Sequence, residues 1–140
     1  QGHLVVTEGL FSRRLARQVQ DLAVRVGARV AAEVVFAYVP GPRTKTAAEN
    51  RLWARLGAQV NSMSLAPEVV LANELEIPCA GLVLGHKYSL AGGPSSSEET
   101  LAESLIESRR ALERIVLAFL EEADPVPFAN RIFRFSKDDA

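Results

Sequence analysis

Pro40-Gly41-Pro42-Arg43-Thr44-Lys45-Thr46-Ala47-Ala48-Glu49, then Asn61-Ser62-Met63-Ser64-Leu65-Ala66-Pro67-Glu68, then Gly85-His86-Lys87-Tyr88 punctuate a single stretch from Val39 to Tyr88. Each segment follows an apolar, strand-like run, so all three are expected to arrive at one edge of a sheet. Loops at the carboxyl edge of a parallel sheet are where α/β proteins place their ligands. The remainder of the chain reads as scaffold for that edge.

Within the stretch, strands and helices alternate. Arg29 to Val39 is Val-rich and apolar at nearly every position, as expected of a strand covered on both faces. Pro40 to Pro42 ends it, unless the turn is all that these residues provide. Thr46-Ala47-Ala48-Glu49 is a capping box, and Leu52, Trp53 and Leu56 continue a helix to Gly57. Ala58 to Met63 is a second strand, and Pro67 suits the first turn of a helix carrying Val69, Val70, Leu71, Ala72 and Leu75. Apolar on most sides, that helix is expected to be buried. Pro78 breaks it, and Cys79 to Leu84 reads as a third strand. Strands and helices in this order, with short connections, predict parallel crossovers.

Outside the stretch, residues 1–11 form a lead-in with a brief strand. Ser12 caps a helix with Leu15, Val19, Leu22 and Val26 on its apolar face, and Gly27 stops it. Residues 86–97 read as a flexible loop. Ser97 opens a long helix over 98–123, with Leu101, Leu105, Leu112, Ile115, Val116, Phe119 and Leu120 on its buried stripe. The tail, 124–140, keeps Phe128, Ile132, Phe133 and Phe135 among charges and is expected to dock on something.

Composition narrows the class. The 140 residues are 48% hydrophobic and 24% charged, which fits one globular domain or a fraction of a larger one. Net charge is −1 with interleaved signs, so no basic stripe invites nucleic acid. No apolar run approaches the roughly 20 residues that span a bilayer, and no signal-peptide pattern is present. Cys79 stands alone in an apolar run, which points to a reducing, cytoplasmic setting. The chain opens on Gln1 rather than Met and is read as trimmed, processed or lacking its natural start. Three parallel strands make a thin sheet whose apolar strands want neighbours on both sides. That cover is expected from a partner chain or a missing part of the same chain.

Single motifs are weak. There is no phosphate-cradling glycine loop, no Gly-x-Ser-x-Gly elbow and no metal-ligand spacing, since His3 and His86 lie in separate segments. The ordered set is more specific. Gly41-Pro42-Arg43, Ala48-Glu49, Leu56-Gly57-Ala58, Met63-Ser64 and Pro67-Glu68-Val69-Val70-Leu71-Ala72 resemble the purine nucleoside phosphorylase and methylthioadenosine phosphorylase family across about residues 29–92. The resemblance covers that family's C-terminal half. It implies a nucleoside phosphorylase-like α/β fold with a parallel-rich sheet and flanking helices, its N-terminal half supplied by another chain or lying elsewhere in this one.

The resemblance also implies a chemistry, in which phosphate cleaves a purine–ribose bond as co-substrate, with no other cofactor and no metal. Carried over by position, Met63 lines the ribose and Ser64 sits by ribose and phosphate, with Ser62 beside them; a soft apolar wall and a short hydroxyl suit those roles. Thr44, Lys45, Lys87 and Ser89 fall at base-recognition positions but depart from the family's residues. Thr44 stands for an aromatic, Lys45 for a glutamate, Lys87 for an acid or amide, and Ser89 for an aspartate. Lys87 is the candidate catalytic group, and His86 beside it is a proton carrier by type. More ordinary readings stay open: Met63 as core filling, Ser64 as a helix cap, the lysines as solvated charges, and Trp53 as core or interface. Hence two main functional expectations stand. One is a phosphorylase-like subunit with an atypical base pocket, its other half on a partner chain or a paralogous subunit; the other is a non-catalytic structural or regulatory partner of an active phosphorylase subunit. A nucleoside-binding module without turnover is a third. The family's habit implies a trimer or hexamer.

Overall fold

The computed structural model of the chain describes residues 2–30, 33–85, 87–90 and 97–134, with side chains for all of these except 2–4 and 134. The elements in order are β1 (Gly2–Val5), α1 (Arg13–Arg25), β2 (Phe36–Tyr38), α2 (Ala47–Arg55), β3 (Val60–Ser62), α3 (Ala66–Glu74), α4 (Glu98–Glu122) and β4 (Arg131–Arg134).

The helices begin where local chemistry says they should. The hydroxyls of Ser12, Thr46 and Ser97 each accept the backbone N–H three residues on, from Leu15, Glu49 and Thr100. Each therefore satisfies one of the donors that a helix start leaves orphaned. Gly27 and Gly57, just past α1 and α2, have φ of +70° and +90°. Only glycine adopts that left-handed backbone without strain, so both helices stop there.

Strand pairing departs from expectation. β2 and β3 pair in parallel, with Phe36 opposite Val60 and Tyr38 opposite Ser62, and α2 is the crossover. Gln59 lengthens the ladder: its side-chain oxygen accepts Val35 N–H and its own N–H donates to Val35 C=O, both at 2.9 Å. The expected third parallel strand, Cys79–Leu84, is absent. That run pairs with no strand; Ser12 N–H donates to Cys79 C=O at 2.7 Å. A strand is defined by its ladder, and among the described residues no neighbour offers one. Of the long strand expected over Arg29–Val39, only Phe36–Tyr38 is strand among the described residues, and 31–32 lie outside them. β1 and β4 instead form a separate antiparallel pair, Gly2 opposite Arg134 and Val5 opposite Arg131. The tail that was expected to dock therefore docks on the chain's own lead-in, as far as Arg134. His86, the 91–96 part of the expected flexible loop and the tail beyond 134 lie outside the described residues.

α1 lies against α4, burying Leu22 and Ala23 on one and Ile115 and Ala118 on the other. The Gln18 amide clamps the C-terminal end of α4, donating to Asp124 C=O at 3.2 Å and accepting Asp124 N–H at 3.0 Å. Arg25 meets Glu122 at 2.6 Å on the open surface, where such a pair contributes little. An open apolar hollow of about 330 Å³ lies between these helices and the 78–82 run, lined by Leu15, Val19, Leu82, Ile115 and Phe119 among others. Two burial expectations fail. On α3, Leu71 and Leu75 are 60% and 72% exposed; on α4, Leu105, Val116 and Leu120 face solvent. The apolar patterning is present, but the surface it calls for is not in contact with it.

One polar network ties the ends of the chain to the middle. Asn73, on α3 and 1% exposed, donates to Leu10 C=O and Val69 C=O and accepts from the Asn130 amide at 2.7 Å. Asn130 also donates to Gly9 C=O and accepts the N–H groups of Thr7 and Glu8. Both amides thus bond backbone polar groups of the lead-in, Asn73 from a buried position and Asn130 at the exposed Thr7–Gly9 backbone. Removing one partner strands the others, at about 1–3 kcal/mol for a buried polar group. Asn73→Ala is expected to lower stability by about 2 kcal/mol. The Asn73→Ala/Asn130→Ala double variant should lose clearly less than the sum of the singles. Urea unfolding of the variants checks both statements, and additive losses would show that the two amides act separately.

Candidate functional site

β2 and β3 end side by side. Beyond Tyr38 the pairing runs on by one residue, Val39 N–H donating to Ser62 C=O at 2.9 Å. Val39 is 1% exposed, so the chain leaves the core at Pro40 while its neighbour leaves at Met63. Two loops are therefore launched from adjacent strand ends, as parallel pairing demands.

They touch at once. A Cβ on Gly41 would lie 1.9 Å from Met63 Sδ and 2.8 Å from its Cγ, so only glycine lets the Gly41–Pro42 turn rest on the Met63 side chain. Met63 remains 46% exposed, a rim rather than core filling. Ser62 and Ser64 point their hydroxyls at one another, 3.1 Å apart. Ser64 is thus not the cap of α3: the N-cap is Leu65, whose side chain makes no capping bond. Leu65 holds φ at +75°, a conformation that costs a non-glycine residue on the order of 1–3 kcal/mol. It turns the chain sharply from the serine pair into α3, with Pro67 in the first turn.

The other loop is fixed by Glu49. Its carboxylate takes a two-pronged bond from the Arg43 guanidinium, at 2.9 and 2.6 Å, and accepts the Thr46 N–H and hydroxyl at 2.8 Å each. Thr46 in turn accepts Glu49 N–H at 3.2 Å, completing the capping box. The hydrogen bonds from Arg43, then those from the Thr46 backbone and hydroxyl, pull the Glu49 pKa down to about 2. The same pair pushes Arg43 upward. The guanidinium is therefore engaged within the chain, while Lys45 and Lys87 carry no ion pair among the described residues.

Thr44 is exposed and Lys45 half-buried, in the loop that Arg43 and Glu49 brace. Lys87 and Ser89 are exposed, in a segment tied to α2 by the Asn50 amide, which donates to Ser89 C=O at 2.9 Å. The structure joins Ser62 to Ser64 and Met63 to Gly41 directly. Among the described residues, no hydrogen bond or ion pair links Thr44, Lys45 or Lys87 to that group. The third segment reaches the site through α2 rather than from the end of a third strand. The sequence reading passed over Asn50, whose partner is a backbone carbonyl 39 residues away. It also passed over Leu65, which carries no turn signal. Arg43 stood in the motif, three residues before a visible capping box, and its pairing with Glu49 was within reach.

The large hollow lies elsewhere. None of these residues lines it, and among its described lining residues Cys79 is the one polar side chain, with a thiol pushed up by burial. A ligand site needs convergent polar groups, and those are at the rim of β2 and β3. Among the described residues, no group of three or more His, Cys, Asp and Glu side chains is placed to hold a metal, and no helix is long and apolar enough to cross a membrane.

The Glu49 clamp has a pH signature. A carboxylate depressed from 4.5 to about 2 contributes stability that is fully present above the higher value and is lost as pH falls through the lower. Between those values, wild type is expected to lose stability more steeply than Glu49→Gln, in which nothing titrates at this position. Because the pair faces solvent, added salt should shrink the difference. Urea midpoints measured across that range check it, and parallel slopes would show that the clamp does not form.

Comparison with known proteins adds the lineage. A profile of the phosphorylase superfamily matches residues 1–121, a wider span than the motifs alone mark out. A probable S-methyl-5'-thioinosine phosphorylase of Methanopyrus kandleri is 36% identical over 110 residues, covering 77% of this chain and 42% of the relative. A probable 6-oxopurine nucleoside phosphorylase of Moorella thermoacetica is 33% identical over 110 residues, covering 76% and 42%. A probable S-methyl-5'-thioinosine phosphorylase of Thermodesulfovibrio yellowstonii is 28% identical over 125 residues, covering 89% and 46%. The chain thus spans less than half the length of the curated relatives it matches. With helices flanking a small parallel pair, and a matched profile over most of its length, the chain belongs to the phosphorylase superfamily, alongside the purine nucleoside and methylthioadenosine phosphorylases it resembles.

Proposed function

We propose that this chain is a subunit or segment of a phosphate-dependent purine nucleoside or methylthioadenosine phosphorylase-like pentosyltransferase. It contributes the C-terminal half of the domain, and its base pocket is atypical. The observation that carries the reading is the rim where Met63 rests on the Gly41 turn beside the facing hydroxyls of Ser62 and Ser64. In that arrangement Met63 is a soft wall for the ribose, and the two hydroxyls are short donors for ribose or phosphate oxygens. Phosphate, as co-substrate, attacks the anomeric carbon while the base departs. The site must then hold an anion against a developing oxocarbenium and stabilise charge growing on the base. Lys87, by its ammonium, is the donor for that charge; Thr44, Lys45 and Ser89 border the base. No other cofactor and no metal is required.

The other half of the domain comes from a companion chain, a paralogous subunit or a further part of this one, in a cytoplasmic trimer or hexamer. Exposed Leu71, Leu75 and Leu120, with the unpaired 79–84 run, are the surfaces it would cover.

The same exposed faces favour a second reading, a non-catalytic partner that stabilises an active phosphorylase subunit. At the rim, Lys45 and Lys87 have no carboxylate partner among the described residues, and Arg43 is already engaged by Glu49. Phosphate-dependent release of purine from inosine and from methylthioadenosine, measured with the chain and any companion that co-purifies, separates the two. Met63→Ala and Ser64→Ala are each expected to lower kcat/KM at least about tenfold, a transition-state loss of about 1.4 kcal/mol. Unchanged rates in both variants would leave the supporting-partner reading alone standing.

A further inference from the structure

We propose that Asn50 is a specificity-setting positioning residue: it holds the Lys87–Ser89 segment on the first turn of α2, so that this segment and the Thr44–Lys45 loop close on the same bound nucleoside. The inference rests on the phosphorolysis reading and deepens it. Glu49 and Asn50 are neighbours on one helix turn, and each gathers a loop from a different part of the chain. Glu49 takes Arg43 and Thr46, which flank Thr44 and Lys45. Asn50 donates to Ser89 C=O at 2.9 Å, between residues 39 apart in sequence. In place of a third parallel strand, this amide is the link the structure shows from Ser89 to the helix that braces the other loop.

The second arm of the amide is vacant. Asn50 Oδ1 is buried and, among the described residues, has no donor. A buried acceptor without a partner is unfavourable, and native structures keep few of them. Asn50 orders the segment with its nitrogen. It acts through the segment's position and takes no part in bond breaking.

The test uses the purified chain with any companion it carries. Asn50→Ala loses both arms; Asn50→Asp keeps an acceptor of the same shape but cannot donate to Ser89 C=O; Asn50→Gln restores both groups on a longer arm. Exposed Arg51→Ala is the control. Hydrogen exchange of the peptide covering 87–90 is measured together with kcat and KM for inosine and methylthioadenosine in excess phosphate. Faster exchange at 87–90 is expected in the Ala and Asp variants, with KM raised about tenfold for at least one nucleoside and kcat within about twofold. The KM ratio between the nucleosides should shift, Gln should recover part of the loss, and Arg51→Ala should behave as wild type. Unchanged exchange overturns the inference, as does faster exchange with KM untouched or a fall in kcat alone. A wild type that is inactive on both nucleosides, but whose 87–90 segment loosens in Asn50→Ala, defeats the phosphorolysis reading instead. Wild-type activity with an indifferent Asn50→Ala defeats this inference and leaves that reading intact.

Discussion

The hydrogen bond from Val39 N–H to Ser62 C=O fixes more of this molecule than its size suggests. It carries the parallel pairing one residue past the strands, so that the chain turns away at Pro40 and Met63 at the same level. Everything at the rim follows from that coincidence. Gly41 can press on Met63 only because the two strand ends are adjacent and level. Ser62 and Ser64 meet across Met63, and Leu65 in a left-handed conformation then turns the chain into α3. A slip of one residue in this register would exchange which side chains face the rim and which face the core.

A short parallel pair is a weak foundation, and the rest of the chain compensates with polar ties more than with a deep core. The buried apolar set is small, and much of α3 and α4 shows its leucines to solvent. Order is imposed instead by side chains that grip backbone. Asn73 and Asn130 hold the lead-in, Gln18 holds the end of α4, Gln59 extends the ladder at Val35, and Asn50 holds Ser89. Such bonds are directional, so they position segments well, but each adds only about 0.5–1.5 kcal/mol net. Apolar faces read from the sequence as buried are the places where a further layer would add stability in proportion to area.

That contrast explains what was legible in the residues. Helix starts were readable because Ser12, Thr46 and Ser97 act on bonds within their own first turn, and Gly27 and Gly57 act on their own φ. The β2–β3 pair was readable as a tendency, from Val-rich runs flanking a capped helix. The Cys79–Leu84 strand was not, because a strand's existence depends on a neighbour, and composition cannot supply one. The burial of α3 failed likewise: Leu71 and Leu75 state a demand for cover, and only contact answers it. At the candidate site, Met63 and Ser64 stand in the motif, and the closeness of Met63 to Gly41 follows from strand order. Asn50, Asn73 and Asn130 left no trace in the pattern, since an isolated asparagine looks the same whether it faces water or binds a distant carbonyl.

The charges at the rim complete the picture. Arg43 is the residue type best suited to grip a phosphate or carboxylate with two parallel bonds, and here it grips Glu49. The low pKa of Glu49 measures how completely that carboxylate is engaged: protonation would have to break bonds from Arg43 and from two donors of Thr46. A group so well satisfied does not donate a proton near neutrality. The pair therefore works as masonry, bracing the loop that carries Thr44 and Lys45. Under the proposed function, recognition of an anionic or electron-rich ligand falls to groups with unspent capacity: the lysines, which carry no carboxylate partner among the described residues, and the serine hydroxyls. The two lysines sit on segments held by one helix turn, the Lys45 loop through Glu49 and the Lys87 segment through Asn50. The spacing between the loops, rather than any single side chain, is what the first turn of α2 controls.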